Sequence, residues 1–199
     1  KESKEEYIYS DNQLETLITY NRNKSGWFQE SYAYDGWGNL TKKNINRFKS
    51  SPIARSKGIS EIVQYDTNGR FVIKKIDNLG LETLISYNDW GQISEETDPM
   101  GVVLKNEYDK WGKMLKSEKS FTGATTYAYT KDISSGDIIM TEYNTNGNEK
   151  IDYTNKLGQN YILKNRKFGQ GEYVSILTLY DELGRKSRYS EPYSGSFPT

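Results

Sequence analysis

Short stretches of alternating apolar and polar positions, each closed by a glycine, organise most of this chain. Leu81, Thr83, Ile85 and Tyr87 would share one face of a strand, with Glu82, Leu84 and Ser86 on the other. Val102, Leu104, Asn106 and Tyr108 repeat the arrangement one long step later. The stretches after the turns are far more polar, as in Gln92-Ile93-Ser94-Glu95-Glu96-Thr97 and Lys113-Met114-Leu115-Lys116-Ser117-Glu118. Such strands suit a sheet wetted on both faces better than a dense sandwich. No stretch keeps helical periodicity over three turns with caps, so little helix is expected. Gly58, Gly69, Gly80, Gly91, Gly101, Gly112 and Gly123 fall 10 or 11 residues apart, and Gly136, Gly147, Gly158 and Gly169 resume the ladder after one longer step. One strand plus one tight turn per step predicts an all-β fold, a long antiparallel meander of hairpins.

The turns carry a signature. Tyr, Asp or Asn, two variable residues and Gly recur as Tyr34-Asp35-Gly36-Trp37-Gly38, Tyr65-Asp66-Thr67-Asn68-Gly69 and Tyr87-Asn88-Asp89-Trp90-Gly91. The pattern returns as Tyr108-Asp109-Lys110-Trp111-Gly112, Tyr143-Asn144-Thr145-Asn146-Gly147 and Tyr180-Asp181-Glu182-Leu183-Gly184. A half-motif without the tyrosine interleaves with it: Asp77-Asn78-Leu79-Gly80, Asp98-Pro99-Met100-Gly101 and the weaker Asn155-Lys156-Leu157-Gly158. An Asx side chain can bond its own backbone two residues on and so start a turn. The closing glycine accepts positive φ without steric cost. Each tyrosine falls on the face of its strand's main aliphatics, where stacking over neighbouring hairpins adds cross-strand packing. Tyr9-Ser10-Asp11 and Tyr20-Asn21-Arg22-Asn23 read as decayed copies lacking the glycine. Residues 46–57, with Ser50-Ser51-Pro52, read as a longer excursion.

Composition narrows the field. With 34% hydrophobic residues and a mean hydropathy of −0.87 the chain approaches the composition of disorder. Its 17 Tyr, 4 Trp and 6 Phe, and a net charge of zero, argue for order. The 27 basic and 27 acidic residues are interspersed without a basic stripe, so no nucleic-acid partner is expected. No apolar run approaches the roughly 20 residues of a membrane helix, so membrane insertion is not expected. Without Cys or His, thiol catalysis, disulfides, thiolate zinc and the commonest general base are all excluded.

Six Tyr-Asx-x-x-Gly copies with interleaved Asx-x-x-Gly halves resemble the Rhs, or YD-repeat, family. The clearest stretch is residues 77–116, and the resemblance covers residues 32–189 within one repeat array spanning 1–199. It implies a sheet that spirals into a hollow shell or barrel, of which this chain is a section cut from a larger protein. It also implies a secreted or cell-surface bacterial product. The implied partners are the rest of the parent chain, an enclosed C-terminal cargo such as a toxin, and a secretion or delivery complex. The alternative reading is an adhesive or carbohydrate-binding array without cargo. The family's self-cleaving aspartate motif has the form D-P-x-G-x-x-G-G. Asp98-Pro99-Met100-Gly101 begins like it, but Val102-Val103-Leu104-Lys105 follows, so the stretch is read as an ordinary turn.

No enzyme is expected. Glu95 and Glu96 are adjacent strand residues on opposite faces and cannot serve one glycosidic bond. Asp66 and Asn68, or Asn144, Asn146 and Asn148, have the oxygen spacing that opens a calcium loop but lack its closing glutamate, so turn chemistry accounts for them. No catalytic residue, metal or cofactor is assigned. Trp37, Trp90 and Trp111 share the slot before the turn glycine. Repetition at one register favours packing on the next hairpin, with a glycan platform as the alternative.

Overall fold

The computed structural model describes residues 4–21, 25–49, 58–167, 169 and 171–195. Of the excursion expected at 46–57, residues 46–49 instead continue strand β4, because β3 pairs with them, and 50–57 lie outside the described residues, as do the decayed copy's Arg22 and Asn23. Contacts cluster into two units, residues 1–103 and 104–199. In the first, eight strands follow in chain order: β1 (Glu5–Ser10), β2 (Gln13–Tyr20), β3 (Gly26–Tyr34), β4 (Leu40–Lys49), β5 (Ile59–Tyr65), β6 (Val72–Ile76), β7 (Glu82–Tyr87) and β8 (Ile93–Thr97). Each pairs antiparallel with the next. The second unit repeats the plan with β9 (Val103–Tyr108), β10 (Met114–Lys119), β11 (Gly123–Lys131), β12 (Ile138–Asn144), β13 (Glu149–Thr154), β14 (Asn160–Arg166), β15 (Tyr173–Tyr180) and β16 (Lys186–Tyr189). There is no helix among the described residues. The all-β antiparallel meander is what the glycine ladder predicts. Neither sheet closes on itself among the described residues.

In each unit the turns fall alternately at two ends of the sheet. We call the end that joins odd to even strands the near end and the other the far end. Register is not uniform along the hairpins. At β1/β2, where Glu15 is the extra residue, and at β3/β4, β5/β6, β7/β8, β9/β10, β13/β14 and β15/β16 the pairing slips by one residue just beyond the near-end turn. In the last six the extra residues are Thr41, Ile73, Ser94, Leu115, Tyr161 and Ser187. These are β-bulges, which add twist and leave one residue of the bulged strand unpaired. Nothing in the local sequence announces them.

The core is thin. Ile85, at 6% exposure, is the one buried hydrophobic side chain among the described residues. It sits where the alternation places it, on the face shared with Thr83 and Tyr87, while Leu84 on the other face is exposed. Asp137, Asp152 and Ser175 are buried polar residues. The chain exposes 14414 Å², whereas a compact 23.0 kDa monomer exposes about 9,600 Å². The sheets therefore leave wet a surface that most domains of this mass would bury.

Candidate functional site: the repeat turns

All the Asx-x-x-Gly copies build one kind of turn. At Asp35 the Gly38 N–H donates to the Asp35 carbonyl (3.1 Å), and the Asp35 N–H donates to the Asn39 carbonyl (3.0 Å). The side chain then closes the loop a second time. Asp35 Oδ1 accepts both the Trp37 N–H and the Asn39 N–H, each at 2.9 Å. Thus one oxygen satisfies the donors two and four residues on, where the sequence reading foresaw only the first. The same double acceptance occurs at Asp77, Asn88, Asp98, Asp109, Asn144, Asn155 and Asp181. Asp66 is a variant one residue longer, taking Arg70 and Phe71 instead. Gly69, Gly91 and Gly112 all sit at reversals with positive φ. Asp98–Gly101 is one more such turn. The β1/β2 turn departs from the rest: Asp11 and Asn12 both take positive φ, a two-residue hairpin turn that Asx residues tolerate.

These bonds stabilise the charge of Asp35, Asp66 and Asp181. The Phe71 N–H lowers Asp66 from the usual carboxylate value, and the Arg185 N–H does the same at Asp181. At Asp35 desolvation opposes ionisation, but the N–H groups of Asn39 and Trp37 outweigh it and the carboxyl is lowered too.

The tyrosines link one near-end turn to the preceding one. The Tyr34 hydroxyl donates to the Leu14 carbonyl (3.0 Å), Tyr87 to Val72 (2.9 Å) and Tyr180 to Asn160 (2.7 Å). Leu14, Val72 and Asn160 each pair with the residue holding the tyrosine position of the preceding near-end turn, namely Tyr9, Tyr65 and Thr154. Ring stacking was expected of these tyrosines, and Tyr87 does stack on Phe71, centroids 4.7 Å apart. The hydroxyl-to-carbonyl tie was not legible from sequence.

The tyrosine copies and the half-motifs do not alternate strictly between ends. In the second unit Tyr108-Asp109 and Tyr180-Asp181 are near-end turns, but Tyr143-Asn144 joins β12 to β13 and lies at the far end, while the half-motif Asn155 lies at the near end. Three strands, β10 to β12, separate Asp109 from Asn144, and an odd number reverses the end. Two intervening turns, at Lys119–Gly123 and Asp132–Gly136, carry no Tyr-Asx-x-x-Gly signature.

The packing expected of the tryptophans is met only in part. The Trp37 indole lies against Gly69 of the next near-end turn, yet remains 71% exposed. Trp90 and Trp111, in the same slot, are 80% and 79% exposed. Beside Trp37 an open groove of about 690 Å³ is lined by Thr41, Gln64, Tyr65 and Asp66 among others. Glu95 faces Ser86 and Glu96 faces Ile85 across the sheet, so these carboxylates stand on opposite faces. The carboxamide oxygen of Asn144 is spent on the N–H groups of Asn146 and Asn148.

Sequence reasoning missed a polar network in the second unit. The Tyr161 hydroxyl donates to buried Asp137 (2.6 Å); that bond, with burial, pushes the phenol up to about 12. Buried Asp152 accepts from Asn160 (3.0 Å) and pairs with Lys150 (2.9 Å). The Tyr173 hydroxyl donates to Glu149 (2.7 Å). All but the Lys150–Asp152 pair, which lies within β13, connect different strands or their turns.

No family model matches the sequence, and a comparison with curated proteins found no match either. Solved structures do share the fold. A crystal structure of TcdB2-TccC3-Cdc42 aligns over 92% of this chain with a TM-score of 0.56 at 9% identity, and one of TcdB2-TccC3-TEV over 92% with 0.57 at 9%. Both share the all-β antiparallel fold that the repeat pattern anticipates. The chain spans 12% of the length of the chains it matches.

Proposed function

We propose that this chain is a section of the wall of an Rhs-type shell that encloses a C-terminal cargo domain, such as a toxin, in a secreted or surface-displayed bacterial protein. The segment itself performs no catalysis. The observation that carries the reading is the exposed area, about half again that of a compact monomer. Sheets with so little core gain stability by joining more of the same, and a wall needs two solvated faces. The shared fold with TcdB2-TccC3 supports a shell context. The parent polypeptide tests it: the region downstream of the repeats should resist protease until the repeats are cut, and cleavage of that region at the rate of the isolated domain would refute enclosure.

A second reading has its own observation, the groove beside Trp37. An exposed indole flanked by Thr41, Gln64 and Tyr65 is the chemistry of a sugar platform, apolar ring faces with hydroxyl and amide partners nearby. Titration with oligosaccharides while following tryptophan fluorescence decides it. Saturable binding lost in Trp37→Ala but kept in Trp90→Ala would favour the groove.

A further inference from the structure

Four consecutive near-end turns of the second sheet each carry a large apolar side chain at the tip. Trp111, Ile133, Leu157 and Leu183 are 79, 97, 81 and 76% exposed. They belong to the turns β9/β10, β11/β12, β13/β14 and β15/β16, so they stand side by side at intervals of two strand spacings, a row of roughly 28 Å. Turn tips ordinarily carry Gly, Asn, Asp or Ser, residues that water solvates well. The far end of the same unit is mixed: Phe121 of the β10/β11 turn is 94% exposed, but Asn146 occupies the tip position of the β12/β13 turn. An unbroken apolar row is a surface built to be covered.

Two observations say by what. First, this kind of turn receives apolar side chains from another of its kind. In the first sheet the Trp37 ring lies on Gly69 and the Phe71 ring on Gly91, using the room that a missing Cβ leaves. At Gly158, within the exposed row, that room is open. Second, the row is charge-complementary to itself when reversed. Lys110 precedes the tip at one end, its ammonium 5.5 Å from the Trp111 ring centroid, and Glu182 precedes the tip at the other. A reversed copy brings Lys110 of one chain to Glu182 of the other, twice.

We propose that this row is a self-association surface whose occupant is a second copy of the chain, stacked tip to tip about a two-fold axis. Trp111 meets Leu183 and Ile133 meets Leu157, an isologous contact in which each pair occurs twice. The contact is independent of cargo enclosure, since two rows can stack whether or not anything is enclosed.

Sedimentation velocity on the 199-residue chain, over a concentration series reaching about 1 mM, tests it. The expected result is a monomer–dimer equilibrium that weakens tenfold or more in Leu157→Ser/Leu183→Ser, with the far-UV circular dichroism unchanged. Lys110→Glu weakens it likewise, and adding Glu182→Lys restores it. A chain monomeric throughout overturns the proposal, as does full association in the serine variant or failure of the charge exchange to rescue. Should the serine variant fold poorly, the charge exchange decides alone, because it removes no apolar surface.

Discussion

Neighbouring near-end turns are coupled differently in the two units. In residues 1–103 aromatic rings lie on glycines: Trp37 on Gly69, and Phe71 on Gly91 with Tyr87 stacked behind it. In residues 104–199 the stem of Lys156 lies on Gly136, and hydroxyl–carboxylate bonds, above all Tyr161 to Asp137, carry the tie between hairpins. The turns themselves are the same in both. The repeat therefore specifies the hairpin, while the coupling between hairpins tolerates different chemistry so long as each junction is filled. Ring packing beside tyrosine-to-carbonyl bonds fills the first unit's junctions, whereas hydroxyl–carboxylate bonds carry more of the second's.

The comparison is broken most severely at a filled glycine. Gly91 has φ +78°, and a Cβ there would stand 2.7 Å from the Phe71 ring, whereas Gly158 has φ +76° and open space. Gly91→Ala should cost about 3 kcal/mol, left-handed strain plus ring displacement. Gly158→Ala should cost only the strain, about 1–2 kcal/mol. Urea denaturation of both variants checks this, and equal costs would mean the ring contact carries nothing. Next in size, Tyr161→Phe leaves the buried Asp137 carboxylate without its donor and should cost about 1.5–3 kcal/mol. Tyr87→Phe keeps its stack and loses one bond to a neutral carbonyl, about 1 kcal/mol. Amide hydrogen exchange in β14 and in β7 reads the two locally.

Titrating groups lie in both units. Tyr161 and Tyr32 are both pushed up to about 12, Tyr161 first by its bond to Asp137 and Tyr32 first by burial and then by its bond to Glu30. A folded value above the unfolded value of about 10 means stability that is complete below about pH 10 and drains away toward pH 12. Asp35, Asp66 and Asp181 are lowered, so their contribution is present above about pH 4 and lost as pH falls through their folded values. Circular dichroism at pH 7 to 12 should show an alkaline limb that Tyr161→Phe softens. The smallest effect belongs to Asp109→Asn, below about 0.5 kcal/mol, because Asn88, Asn144 and Asn155 already make the same two acceptances. Asp109→Ala should cost about 1 kcal/mol, and a thermal melt distinguishes the two.

The candidate site divides along the same physical line. Asp35, Asn88 and Asp181 could be assigned to turns from sequence because an Asx side chain and a glycine act within five residues of chain. The strand face of Ile85 was legible for a similar reason, since alternation is local. The targets of Tyr34, Tyr87 and Tyr180 lie 15 to 20 residues away and depend on which carbonyl the register brings near. Tyr161 reaches Asp137 across 24 residues, out of a bulge that no motif marks.

By itself, the sequence determined that this chain reverses at each Asx-x-x-Gly, that its strands are antiparallel and follow in order, and that little core would form. Those follow from short-range sterics, from hydrogen bonds closing over a few residues, and from composition. Tertiary structure alone decided the one-residue slips after the turns, the end at which Tyr143 falls, and the exposure of Trp90, Trp111 and their apolar counterparts at the tips. Each of these depends on the number and register of strands between two points of the chain, a non-local quantity that no single repeat contains.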